Sequence, residues 1–85
     1  MYTVEFTEDA ERDLSRLDAV EAQRILKKLR WLAENFDLIK PKPLTAHWKG
    51  LFKLRVGDYR VIYTYDRTKR KIVVHFVGHR REIYK

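Results

Sequence analysis

The chain contains no cysteine, which excludes a disulfide framework and a thiolate metal site as supports for the fold. No Gly-rich phosphate loop is present among its three glycines. No apolar run approaches the length of a membrane span. The N-terminus, MYTVEFTEDAERD, is acidic where a signal peptide would be basic and then apolar. The chain is therefore expected to be soluble, cytoplasmic and free of membrane contacts. Its 85 residues make one small domain, residues 1–85, burying about two-thirds of the surface of the unfolded chain. That leaves no room for a deep cofactor pocket or a second domain.

Carboxylates are the other shortage, and it is local. Residues 1–39 hold six Lys and Arg against nine Asp and Glu, a net charge of −3, whereas residues 40–85 hold thirteen against three, a net of +10. So polar a distribution favours a face for polyanions, either nucleic acid or an acidic protein segment. The ordinary alternative is a basic surface that binds nothing specific.

The stretch LFKLRVGDYRVIYTYD, residues 51–66, organises the rest. Gly57-Asp58 between alternating runs of Val, Ile, Tyr and Phe predicts a two-residue hairpin turn. Val56 then pairs with Tyr59, Arg55 with Arg60, Leu54 with Val61 and Phe52 with Tyr63. One face carries Phe52, Leu54, Val61 and Tyr63; the other carries Lys53, Arg55 and Arg60, with Ile62 opposite the lysine. Like charges directly opposite are destabilising, so this face either awaits an anionic partner or is an edge that resists aggregation.

Upstream, Tyr2 to Phe6 alternates as a strand with Tyr2, Val4 and Phe6 on one face. Thr7 is a helix N-cap followed by Glu8, Asp9 and Glu11, with Ala10, Leu14 and Leu17 inward and an end near Asp18. Asp18 and Glu21 open a longer helix in capping-box fashion. Its apolar set is Ala22, Ile25, Leu26, Leu29, Leu32, Ala33 and Phe36, with Arg24, Lys27, Lys28 and Arg30 opposite and Trp31 at the rim. Pro41 and Pro43 exclude a continuing helix; Leu44, His47 and Trp48 are candidates to fold back on the core. Lys71 to Val77 predicts a central strand buried on both faces, broken by Gly78, with His75 packed rather than catalytic. The order β-α-α-β-β-β makes an α+β domain in which a helical hairpin covers one face of a small sheet.

The uncovered face would gather Lys53, Arg55 and Arg60 with His79, Arg80, Arg81 and Tyr84. Only Asp58, Asp66 and Glu82 accompany them, which argues against a two-metal nuclease and against carboxylate-pair hydrolysis. His47, His75 and His79 lack metal-ligand spacing, so neither metal nor cofactor is expected. Metal-independent RNA cleavage remains, in which the 2′-hydroxyl attacks the adjacent phosphate. It needs a base, an acid for the leaving 5′-oxygen, and cations for the charge that builds on phosphorus. Arginine supplies only the cations; Lys53, His79 and Tyr84 are the candidate proton carriers, and Tyr84 is alternatively a base-stacking platform. The plain reading of residues 79–85 is a solvated tail.

The segments YTVEFTEDAERDL, FKLRVGDYRVIY and IVVHFVGHRREIYK, in that order and at this length, resemble the RelE/ParE superfamily of toxin–antitoxin toxins, and its RelE branch most. The resemblance implies a mostly antiparallel sheet under a helical hairpin and a ribosome-dependent endoribonuclease cutting mRNA in the A site. It also implies an acidic, RelB-like antitoxin in a hetero-oligomer that can bind operator DNA through the antitoxin. Carried over by position, it implies catalytic roles for Lys53, Arg60, Arg80 and Tyr84, and nucleic-acid contacts for Arg55, Lys49, His79 and Arg81. The chain departs from some members at Leu51, where they carry a second lysine; the proton carrier is then Lys53 alone, or one that shares the role with Lys49 or His79. The alternatives within this frame are a ParE-like, non-enzymatic inhibitor of DNA gyrase and a basic nucleic-acid-binding module.

Overall fold

Thr7 and Asp18 start the two helices. In the computed structural model, which describes residues 1–44 and 50–83, β1 (Thr3–Phe6) leads into α1 (Glu8–Ser15) and α2 (Ala19–Asn35). Thr7 Oγ1 accepts the Ala10 N–H at 3.1 Å and Asp18 Oδ1 accepts the Glu21 N–H at 2.9 Å. Each satisfies one of the donors a helix start leaves orphaned. The Glu21 carboxylate turns to Arg24 at 3.3 Å, so the box is closed from one side only. The expectations for Lys49, His47, Trp48 and Tyr84 lie outside the described residues.

After a 3₁₀ turn, Phe36–Leu38, the chain makes a strand that periodicity misses: β2, Lys42–Pro43. The hairpin strands β3 (Phe52–Val56) and β4 (Tyr59–Asp66) follow, then β5 (Lys71–His79). The five-stranded sheet runs β1-β5-β4-β3-β2. β1 lies parallel to β5 and all other neighbours are antiparallel. The hairpin register matches the expected one at every pair from Phe52↔Tyr63 to Val56↔Tyr59. Gly57 takes φ +59 in the turn, a left-handed value that an L side chain resists.

Both helices cover one face. Ala10 from α1, with Ile25, Leu29, Leu32 and Phe36 from the second helix and its 3₁₀ extension, meets Val56, Val61, Tyr63, Ile72, Val74 and Val77 from the sheet. Phe36 sits at the centre of an aromatic cluster, 4.8 Å from the Tyr2 ring and 4.9 Å from that of Tyr65. Burial pushes the Tyr63 hydroxyl up to about 12, with the neighbouring Tyr65 acting in the same sense and Arg67 against it. Among the described residues, no helix is long and apolar enough to cross a membrane.

Three expectations are corrected. Leu26 is not inward but 39% exposed, because Ile25 and Leu29 take the sheet-facing direction and Leu26 lies about 100° further round. Nor is β5 buried on both faces. Ile62 pairs with Phe76 but Tyr63 pairs with Val74, leaving His75 as an extra residue in a β-bulge. The bulge turns His75 and Phe76 to the same, helix-free face, where Phe76 is 39% exposed. Side chains of the first helix region answer the loosened backbone. Thr7 Oγ1 donates to the His75 carbonyl at 3.2 Å, and Asp13 Oδ2 accepts the Val77 N–H at 3.0 Å. The strand then continues through Gly78 to His79 instead of breaking at the glycine. A Cβ at Gly78 would stand 3.2 Å from Ile83 Cδ1, so this glycine admits the turn that folds back over the strand.

Candidate nucleic-acid interface

Residues paired across strands share a face, so the helix-free face is read directly from the register. One rung holds Lys42, Lys53, Ile62 and Phe76; the next holds Arg55, Arg60 and Gly78. Two like-charged pairs, Lys42 with Lys53 and Arg55 with Arg60, therefore lie directly opposite each other. Among the described residues, none of these four cations takes part in an ion pair. Arg67 and Arg70 of the basic half behave differently: both hold Asp37, at 3.7 and 3.1 Å. Burial pushes the Asp37 carboxyl up, but hydrogen bonds from Arg70 and Tyr2 and the two guanidinium charges prevail and hold it below the usual range.

Arg60 is tethered to the hairpin backbone. Its Nη1 donates to the carbonyls of Gly57 at 3.1 Å and Tyr59 at 3.0 Å, which fixes the guanidinium while leaving other N–H groups for an anion. Lys53 and Arg55 are exposed. Arg80 arrives at the tip of the hairpin: its N–H donates to the Asp58 carbonyl at 2.8 Å and its Nε lies 3.8 Å from Asp58 Oδ1. Arg81 is exposed in the turn that follows β5, its N–H donating to His79 Nδ1 at 3.1 Å.

His79 does not join the cationic face. It pairs with Tyr59 on the helix side, with the two rings edge-to-face at 5.6 Å, beside Asp18 and Glu21 at the start of α2. The bulge at His75 and the continuation of β5 decide this, neither of which alternation alone displays. His75 is held by Thr64, 2.9 Å from its Nε2. Of the residues expected at the site, the fold thus gathers Lys53, Arg55 and Arg60, sets Arg80 at the rim, and turns His79 away. Lys49 and Tyr84 lie outside the described residues. Lys42, which the sequence marks only as charge in the connector, joins this face; a signal existed, since a residue before proline is biased to extended backbone and Lys42 stands between Pro41 and Pro43. Phe76 was read as core for want of the bulge. Among the described residues no cluster of three or more His, Asp or Glu side chains is placed to hold a metal ion.

Such a surface, four uncompensated cations on an open sheet, is suited to gripping phosphate or carboxylate groups. Comparison with known proteins bears on which. The ParE toxin family of type II toxin–antitoxin systems, parDE, matches residues 4–84. Toxin RelG of Mycobacterium tuberculosis is 33% identical over 84 residues, spanning 99% of this chain and 97% of RelG. The toxin–antitoxin complex RelBE2 of the same organism contains a chain that superposes with a TM-score of 0.82 at 33% identity, with 92% of this chain and 96% of that one covered. Isolated Escherichia coli RelE gives a TM-score of 0.77 at 24% identity, with 99% and 92% covered, a likeness of fold. The chain belongs to the RelE/ParE superfamily and is a toxin of the type II toxin–antitoxin kind.

Proposed function

We propose that this toxin is a metal-independent endoribonuclease that stops translation by cutting mRNA in the ribosomal A site. The observation that carries the reading is the set Lys53, Arg55 and Arg60, cations without carboxylate partners among the described residues, on the one sheet face the helices leave open. The 2′-oxygen attacks the neighbouring phosphorus while the 5′-oxygen leaves, and negative charge builds on the non-bridging oxygens. Arg60, held by two carbonyls, meets that charge without reorganising, which is the condition under which such groups lower a barrier most. Lys53 is the proton carrier on this face. Tyr63 is excluded from that role by its position: its side chain is buried in the core on the helix-covered face, 1% exposed. Arg80 completes the phosphate contacts once it leaves Asp58, and Tyr84 is assigned to the scissile site by family position. A site with so modest an acid–base pair gains from a substrate ordered by the ribosome, because positioning alone supplies several kcal/mol.

The partner is an acidic, RelB-like antitoxin whose carboxylates cover the same cations; the similarity to the toxin of RelBE2, solved with its antitoxin, supports this. Adding the toxin to a translating extract and mapping mRNA ends tests the activity. New ends within codons, lost in Arg60→Ala, are expected; stalled translation with intact message would overturn the reading. The ParE description of the matching family keeps gyrase inhibition as the second reading. DNA breaks trapped on gyrase, with uncut message, would establish it instead.

A further inference from the structure

The cationic face does not end at the edge of the sheet. β2 pairs only with Phe52 and Lys53, so the edge of β3 beyond Lys53 has no neighbouring strand among the described residues. There the surface sinks into an open groove of about 500 Å³ between α2, the segment before β2, and the hairpin. Its charged lining among the described residues is Lys28 from the helix, Lys40 and Lys42 from the connector, and Lys53, Arg55 and Arg60 from the hairpin, with no carboxylate among them. Trp31 stands at the rim, 41% exposed, with Lys28 Nζ 3.9 Å from its ring centroid.

We propose that this groove is a single-stranded RNA subsite, in which phosphates next to the scissile one lie along Lys53, Lys42 and Lys40 and a base stacks on Trp31. The inference rests on the nuclease reading for its direction, since the groove opens from the same Lys53, Arg55 and Arg60. Two features favour a nucleic-acid strand over an acidic helix. A helix seated in a groove needs several apolar anchor sites at i, i+3, i+4 and i+7 spacing. Among the groove's residues Trp31 is the most exposed large hydrophobic side chain; Ile39 and Leu54 are half-buried against the core, and Leu32 and Tyr63 are buried in it. A lone exposed indole amid cations is instead the arrangement that stacks bases of any sequence while the cations track the backbone. Trp31 therefore sets affinity with little sequence preference.

The test is direct binding, without ribosomes, of a short 2′-O-methyl RNA that cannot be cleaved, followed at low salt by fluorescence anisotropy. Wild type should bind with a steep salt dependence. Trp31→Ala should weaken the complex by about 10-fold, and Trp31→Phe by less, since a smaller ring still stacks. Lys40→Glu with Lys42→Glu should weaken it further and flatten the salt slope. With an abasic oligonucleotide of equal charge, Trp31→Ala should bind as wild type does. No binding by wild type, or equal binding by Trp31→Ala and wild type, overturns the subsite. So does displacement of the RNA by a Glu-rich helical peptide whose affinity falls with Trp31→Ala, which makes the groove a protein-docking surface. Cleavage of message on ribosomes separates the two readings. If cleavage persists while the oligonucleotide does not bind, the subsite alone falls; if both are missing, the nuclease reading falls with it.

Discussion

Replacing Arg60 by alanine separates a chemical role from a structural one. The side chain holds two carbonyls, Gly57 O at 3.1 Å and Tyr59 O at 3.0 Å, and it faces Arg55 across the hairpin. Hydrogen bonds to a charged donor contribute about 1.5–3 kcal/mol when buried, but the Gly57 bond is exposed and the Tyr59 bond only part-buried, so less is lost here. Removing one of two opposed arginines also relieves repulsion of about 0.2–1 kcal/mol. The net destabilisation should stay near about 1 kcal/mol, a fall in melting temperature of about 4–8 °C for a domain of this size. If Arg60 meets the transition-state charge, its loss should slow cleavage by about 100- to 1,000-fold, the effect of deleting one preorganised donor. Arg60→Lys keeps the charge without the rigid fork and should fall between. Thermal melts followed by circular dichroism, beside single-turnover cleavage on programmed ribosomes, give both quantities for each variant. Cleavage by a folded Arg60→Ala at the wild-type rate would refute the reasoning. So would a rate loss that vanishes once each rate is scaled to the folded fraction.

Three further outcomes follow from the packing. Leu29→Ala removes a side chain only 2% exposed and should cost about 2.7–5 kcal/mol, whereas Leu26→Ala on the outer surface should stay within about 0.5 kcal/mol; urea unfolding compares them. Asp13→Ala leaves the Val77 N–H without its acceptor and should cost about 1–3 kcal/mol, with hydrogen exchange at Val77 rising beyond the global change. Asp37 titrates lower in the folded chain than its ordinary 3.8. The stability it adds is thus present above that value and lost as pH falls through the lower folded one. Asp37→Asn should therefore flatten the acid limb of a stability-versus-pH curve and leave its slope near neutrality unchanged.

Much of the fold is legible locally, because the interactions that set it are local. Thr7 and Asp18 cap their helices with their own side chains, and a Gly-Asp turn admits one hairpin register, since a slip by one residue would turn Leu54 and Val61 to solvent. Lys53, Arg55 and Arg60 share a face for the same reason. The inward face of α2 was legible to within one residue, failing at Leu26 because periodicity gives the direction of a stripe and not its width. β2 was missed because two residues carry no period. It exists through its pairing with β3, nine to eleven residues further along the chain.

The sequence by itself determined the superfamily, the helical hairpin on a sheet, and the strand face on which three cations collect. The superfamily is read from the resemblance of three segments, whereas the hairpin and the strand face follow from spacing, capping and turn chemistry, which act over a few residues. Only the tertiary structure decided which other residues reach that face. The bulge at His75 lets β5 change phase between Val74 and Val77, turning Phe76 outward and His79 toward the helices. It holds because Thr7 and Asp13, more than sixty residues earlier, satisfy the backbone groups around it. Unsatisfied, those groups would make the bulge costly, and no pattern within residues 71–79 reveals that they are met. Lys28 and Trp31 precede Lys42 and Lys53 by 11 to 25 residues, and only helix packing on the sheet makes one groove of them.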